Sequence, residues 1–487
     1  MNRTCPISRR VALAITMLSL VAGAVARMPI GSNFWNISWH QWNDVFANGW
    51  NNVSGDNPWN PQFLTETDFY KVLRFMDWDE INNSTRVNFS ERTLKSASSQ
   101  NPVAYEWMID LCNRNRADLW LCIPHQATLD YSLQLARLVK YGSNASGVSY
   151  TSAQADPDNP PLDAQLKVYV EYSNETWNGG FSQNPYCRTM GVALGLPGQN
   201  GQPVNEYYQG WAYHVYQGIR HFEQFESVFG ANSTRVIKTL AGQAGNATVA
   251  EHHLYCLTNS LCNPNGVSVD AYAIAPYFGK DVDGNDADAL DQLRDDITNV
   301  AQRCAAHAQL LEGSGIELIC YEGGQHVTSG SYVVNQDPEM HSIYTDYLEA
   351  IDDYVSGAFA HYVHVGSAGL QHSWGAMEYT GQPVTNAPKY HALVDYYSSG
   401  IQIISNAVMQ TLPVFKMTVH PGTNQTSALH PVSTTNLVDG SWTAVEHADN
   451  PYGAYTITNL SHSVSDEAGY TIYLKVEEDT ELFGVAK

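Results

Sequence analysis

The chain has 487 residues and a formal charge of −24, from 25 Lys and Arg against 49 Asp and Glu; 11% of its residues are aromatic and only 15% charged. An acidic chain without a basic stripe excludes a nucleic-acid partner, because phosphate neutralisation needs clustered Lys and Arg. A hydrophobic content of 44% excludes a disordered polymer, and the excess of Trp and Tyr over charge points to a surface that stacks on something flat and uncharged.

The N-terminus carries Arg3, Arg9 and Arg10 ahead of an apolar run from Val11 to about Val25, which closes in Ala24-Val25-Ala26. A basic start, a short apolar core and a small-x-small ending read as a secretory signal peptide over residues 1–26. The run falls short of the roughly 20 residues that a spanning helix needs. The expected chain is therefore secreted and extracellular, with no membrane partner after cleavage.

Secretion changes the reading of cysteine. Beyond Cys5 there are Cys112, Cys122, Cys187, Cys256, Cys262, Cys304 and Cys320, an odd number that leaves at least one unpaired. Local disulfides are expected for Cys256/Cys262, Cys112/Cys122 and Cys304/Cys320. N-x-S/T sequons are dense, Asn36, Asn52, Asn144 and Asn174 among them, as in a secreted glycoprotein.

From residue 29 onward, short apolar strands alternate with loops and helical patterns. The strand candidates are 29–34, 71–76, 118–123, 167–172, 235–240, 269–275, 316–321 and 360–365. Helical periodicity falls at 103–114, 129–141, 207–230, 288–311 and 341–356. Eightfold strand-helix alternation predicts an α/β fold, a (β/α)8 TIM barrel over 27–400 swollen by loops at 142–166, 183–205, 242–267 and 323–338. Residues 401–487 switch to Val/Thr/Tyr-rich runs at 414–419, 455–458 and 470–476, a small antiparallel β domain. A sandwich buttressing the barrel and a carbohydrate-binding module are both open readings for it.

Barrel chemistry sits at the C-terminal ends of strands. Those ends read Asn33-Phe34-Trp35, Arg74 to Trp78, Pro124-His125-Gln126, Asn174-Glu175-Thr176-Trp177, Pro276-Tyr277, Tyr321-Glu322-Gly323 and, after the eighth, His372-Ser373-Trp374. Such a ring of carboxylates, aromatics, amide, imidazole and guanidinium suits a sugar, which offers an apolar face to stack and hydroxyls to bond. Two carboxylates in one site suit glycoside hydrolysis, where one protonates the leaving oxygen and the other attacks the anomeric carbon or activates a water. Glu175 and Glu322, at strands four and seven, are the candidates, and Asn174 is placed to contact a sugar 2-hydroxyl. Either Glu alone also fits a helix cap. Tyr277 also fits the core, and Arg74 a structural ion pair.

The stretch Val170-Glu171-Tyr172-Ser173-Asn174-Glu175 resembles the fourth-strand pattern of clan A of the glycoside hydrolases, the retaining 4/7 superfamily. The resemblance implies Glu175 as acid/base and Glu322 as nucleophile. It also implies that Arg74, His125, Tyr277 and Trp374 shape the subsite of the cleaved sugar, as in the family 5-like branch. Two departures stand out. Thr176 replaces the frequent Pro and makes Asn174 a sequon, which must be unused if the site works. Tyr321-Glu322-Gly323-Gly324 replaces the commoner Thr-Glu-x-Gly.

No G-x-S-x-G elbow, H-E-x-x-H motif, phosphate loop or dinucleotide fingerprint occurs. The reading needs no cofactor and no metal, and its expected partner is a carbohydrate bound by a monomer. Two rivals remain: a non-catalytic carbohydrate-binding protein on a glycosidase scaffold, and a polysaccharide lyase or metal-assisted hydrolase, for which His361, His364 and His372 form the one histidine group of note.

Overall fold

The computed structural model describes residues 27–38, 45–198, 205–369 and 372–402, together with the backbones of four later strands. The signal segment 1–26 lies outside the described residues. Eight strands close into a parallel barrel: β1 (Ile30–Asn33), β2 (Val72–Arg74), β3 (Asp118–Ile123), β4 (Val168–Tyr172), β5 (Val236–Ala241), β6 (Ala271–Ile274), β7 (Glu317–Cys320) and β8 (Phe359–His361). Each pairs with its neighbours in chain order, and β8 returns to β1 with Ile30 opposite Phe359. All eight expected strands are present; 118–123 keeps its bounds, 235–240 shifts by one residue, and the other six are shorter than expected, the last being Phe359–His361 against 360–365.

Period-two alternation divides the strand residues between two cores. On β3, Leu119, Leu121 and Ile123 face the main apolar cluster shared with the helices. Trp120 belongs to a second cluster inside the barrel, with Tyr169, Ile319 and Tyr321. The small residues Ala241, Ala271, Ala273 and Ala358 share that cluster, making room for the large rings of β3 and β4. Where β1 meets β2 the chains approach so closely that a Cβ on Gly31 would lie 2.4 Å from the Val72 carbonyl oxygen, so only glycine fits.

The outer layer includes α1 (Pro61–Thr67), α2 (Tyr105–Asn115), α3 (Leu129–Tyr141), α4 (Gln183–Ala193), α5 (Glu206–Phe229), α6 (Ala247–Leu257), α7 (Ala289–Leu311), α8 (Ser331–Asn335), α9 (Glu339–Asp352) and α10 (Pro388–Gln402). Their starts follow local chemistry: the Asn60 side chain accepts from Gln62 N with Pro61 opening α1, and Thr128 accepts from Tyr131 N at the start of α3. None of the described helices is long and apolar enough to cross a membrane.

The chain divides into two compact units, Met1–Gly400 and Ile401–Lys487. In the second, Val414–Val419 pairs antiparallel with Ile472–Glu477, and Val432–Asn436 with Ser441–Ala444. The strand candidate at 455–458 lies outside the described residues.

The expected disulfides are not found. All seven cysteines among the described residues are buried free thiols. Cys112 and Cys122 face different cores: the Cys112 thiol points from α2 to the Asp118 carbonyl (3.9 Å), whereas Cys122 lies inside the barrel 3.4 Å from Glu171 Oε2. The Cys256 thiol lies 3.6 Å from His252 Nε2.

Candidate active site

Arg74, the last residue of β2, organises the top of the barrel. Its side chain is fully buried. Nε and Nη2 donate to the two oxygens of Glu171 on β4 at 3.1 and 3.2 Å. Nη1 donates to Glu322 Oε1 (3.0 Å) and Asn33 Oδ1 (3.1 Å), and Nη2 also reaches Asn174 Oδ1 (2.8 Å). A guanidinium buried this deeply requires such a set of acceptors. Strands one, two, four and seven are thereby tied to one cation. Glu171 is itself held by Trp120 Nε1 at 2.9 Å.

Beyond β4 the backbone turns sharply. Ser173 and Glu175 take φ values of +61° and +42°, in the left-handed region that non-glycine residues seldom enter. Such strain persists where the surroundings over-determine it. Here Ser173 N donates to the Ile123 carbonyl (2.8 Å), and Gln183 Nε2 donates to the Asn174 carbonyl (2.8 Å). The turn delivers Glu175 to the cleft. Its oxygens accept from Tyr321 Oη (3.0 Å) and Asn178 Nδ2 (2.8 Å), both neutral donors.

Glu322 follows β7. Past the rim, Tyr277–Phe278 and Gly324–Gln325 pair in parallel and prolong β6 and β7. This short extension sets Tyr277 beside Glu322, and the tyrosine hydroxyl donates to Glu322 Oε2 at 2.9 Å. Tyr362, after β8, donates to Asp77 Oδ2 (2.9 Å).

One cation thus serves Glu171, Glu322 and the field of two further carboxyls, Glu175 and Asp77. Burial raises both Glu175 and Glu322 above the ordinary carboxylate range, with the charge of Glu171 adding to Glu175 and that of Glu175 adding to Glu322. Glu322 has the Arg74 cation and the Tyr277 hydroxyl to offset its burial. Glu175 makes no hydrogen bond to Arg74 and is held by the neutral donors Tyr321 and Asn178. Burial likewise raises Asp77, to about 6.

Glu175 and Glu322 line one cavity of about 720 Å³ with Asn174, Trp177, Tyr277 and Trp374, all anticipated from the sequence. Arg74 lies beneath it. Trp35 stands behind, its ring stacked on Trp374 at 5.2 Å. His125 is not in the lining. It is buried at the end of β3, 5.0 Å from the Tyr186 ring, and burial pushes its imidazole down to about 4. Residues not assigned beforehand also line the wall, among them Tyr321, Asn178, Tyr362, His326, Lys280 and Arg303. Tyr321 precedes Glu322 directly, and that adjacency was its only sequence signal. Tyr362 and Asn178 gave none.

Asn174 is buried, and its amide nitrogen donates to Asn82 Oδ1 (3.1 Å) while its oxygen accepts from Arg74. A glycan on that nitrogen would displace the bond to Asn82 and need space beside a side chain that is 2% exposed, so the folded chain disfavours use of this sequon. His361, His364 and His372 do not converge. His361 bonds Tyr344 Oη (3.1 Å), His364 bonds Tyr70 Oη (3.2 Å), and His372 stacks on Trp374 (4.5 Å).

The strands and this cleft define a (β/α)8 barrel with a carboxylate pair at the C-terminal rim. No protein-family model matches the chain, and no curated protein does. Solved structures resemble it in part. A family GH51 arabinofuranosidase from Xanthomonas axonopodis pv. citri is 11% identical over 77% of this chain and 73% of its own, with a TM-score of 0.49. A family 26 endo-β-1,4-mannanase from Cellulomonas fimi is 13% identical over 83% and 80%, at 0.38. Xylanase 10B from Thermotoga maritima is 14% identical over 77% and 96%, at 0.37. Likeness at that level carries no argument about activity, which rests on the site itself.

Proposed function

We propose that this chain is a secreted, retaining glycoside hydrolase that cleaves a β-linked oligo- or polysaccharide. The observation that carries the reading is the asymmetry of two carboxyls on one cavity: Glu322 holds Arg74 at 3.0 Å, and Glu175 has only neutral donors. Opposed environments separate the roles of acid and nucleophile.

Glu322 attacks the anomeric carbon as the glycosidic C–O bond breaks, and Glu175 gives its proton to the departing oxygen. In the second step Glu175, now a carboxylate, takes a proton from water. That water attacks the same carbon and releases Glu322. Arg74 and Tyr277 hold Glu322 in place and stabilise its charge. Asn174, fixed by Arg74 and Asn82, is positioned to bond the sugar's 2-hydroxyl, where contact strengthens in the transition state. Trp374 and Trp177 offer apolar faces to the rings.

The test is a panel of β-glycans and aryl β-glycosides with wild type, Glu322→Gln and Glu175→Ala. Both variants should lose activity, by about 10²–10⁴-fold for the acid/base. NMR of the first-formed product should show retained anomeric configuration, and a 2-deoxy-2-fluoroglycoside should label Glu322. Inverted product would overturn the nucleophile assignment. Unchanged activity in both variants would overturn the site.

A further inference from the structure

On the outside of the barrel, away from the cleft, three metal-ligating side chains converge. His341 lies on α9; His391 and Asp395 lie one turn apart on α10. His341 Nε2 is 3.0 Å from Asp395 Oδ2, and His391 Nε2 is 3.4 Å from the same oxygen. The two imidazole rings are 4.7 Å apart, and one ligand atom from each of the three residues falls within 4.8 Å of the others. All three are accessible to solvent, with side chains 34%, 42% and 52% exposed. No Lys or Arg is paired with Asp395 among the described residues.

We propose that His341, His391 and Asp395 form a zinc site that staples α9 to α10. Zinc takes imidazole nitrogen and carboxylate oxygen at about 2.0–2.2 Å, and tetrahedral bonds of that length set ligand atoms about 3.3 Å apart. The two measured separations bracket that figure. Two histidines and a carboxylate form a three-ligand set that leaves one position for water. Imidazole with carboxylate favours zinc and its first-row neighbours over calcium and magnesium, which prefer all-oxygen shells. The plain alternative is a pair of surface His–Asp contacts with no ion. Two neutral imidazoles can each donate an Nε2–H to the shared oxygen without an ion, so the two cases differ in what added metal does.

The experiment uses the full chain stripped with chelator. Zinc is titrated by calorimetry, cobalt is followed by its visible absorption, and thermal unfolding is recorded with each. One equivalent of zinc should bind and raise the melting temperature, since a ligand that prefers the folded state stabilises it. Calcium and magnesium should have no effect. The double variant His341→Ala/His391→Ala, and Asp395→Asn alone, should weaken zinc binding by about 10–100-fold or more, the loss seen even for outer partners of a metal site. All three residues are at the surface, so the variants should fold, which circular dichroism checks. An absence of stoichiometric binding to wild type, or equal binding to the double variant, would overturn the proposal.

Discussion

Arg74 and Glu171 form a doubly hydrogen-bonded ion pair sealed inside the barrel, with both side chains fully buried. Breaking a buried pair strands the remaining charge. Glu171→Gln should therefore cost about 3–5 kcal/mol of unfolding free energy. Activity should fall with it, because Arg74 also positions Glu322 and Asn174. Denaturant unfolding and steady-state kinetics on the same sample check both. A loss of activity with no loss of stability would show that the pair is not structural.

The cleft should show a bell-shaped dependence of kcat/KM on pH. Burial raises Glu175, so its proton persists above the ordinary carboxylate range, and the rate falls once rising pH removes it. Glu175→Gln, assayed on an aryl glycoside whose leaving group needs no proton, should lose this alkaline limb. A limb that persists in the variant belongs to another group.

Tyr277→Phe removes the hydroxyl that donates to Glu322 at 2.9 Å. A hydrogen bond to a charged group is worth about 1.5–3 kcal/mol, so kcat/KM should drop by roughly 10–100-fold. That bond favours the anion, so its loss raises the nucleophile's pKa and moves the acid limb to higher pH. An unmoved acid limb would separate Tyr277 from Glu322.

Asp77 offers a test in stability rather than rate. Its folded pKa, raised by burial to about 6, lies above that of the unfolded chain, so the fold binds this proton more tightly. The resulting stability is full below about pH 4 and is lost as pH rises through 6. Asp77→Asn keeps an acceptor for Tyr362 and titrates no proton. The difference in unfolding free energy should shift toward the variant between pH 4 and 7 and stay level outside that window. A flat difference throughout would mean that Asp77 ionises as freely folded as unfolded.

Trp374 lines the cavity, braced by Trp35 and His372. If it is a sugar platform, Trp374→Ala should raise KM by about tenfold, the equivalent of about 1.4 kcal/mol of stacking, with a smaller effect on kcat. A kcat effect alone would place the ring in the chemistry instead.

The residues themselves determined the barrel. Short apolar runs of six or seven residues, separated by helical periodicity, had to become buried parallel strands, and the C-terminal rim then followed from strand direction. Glu175 and Glu322 were legible because each closes such a strand. His125 closes one too, yet its ring turns against Tyr186 rather than into the cleft, since strand position does not fix side-chain direction at a loop. Glu171 read only as part of a pattern, whereas in the fold it is the counter-ion of Arg74, 97 residues away. Separation in sequence likewise hid Tyr362 on Asp77, 285 residues apart, and His341 on Asp395, 54 apart. Local sequence sets which face of a strand or helix a side chain occupies. Which charge it meets there is decided by closure of the barrel and packing of the helices, and here that placed Arg74 against Glu322 and left Glu175 among neutral donors.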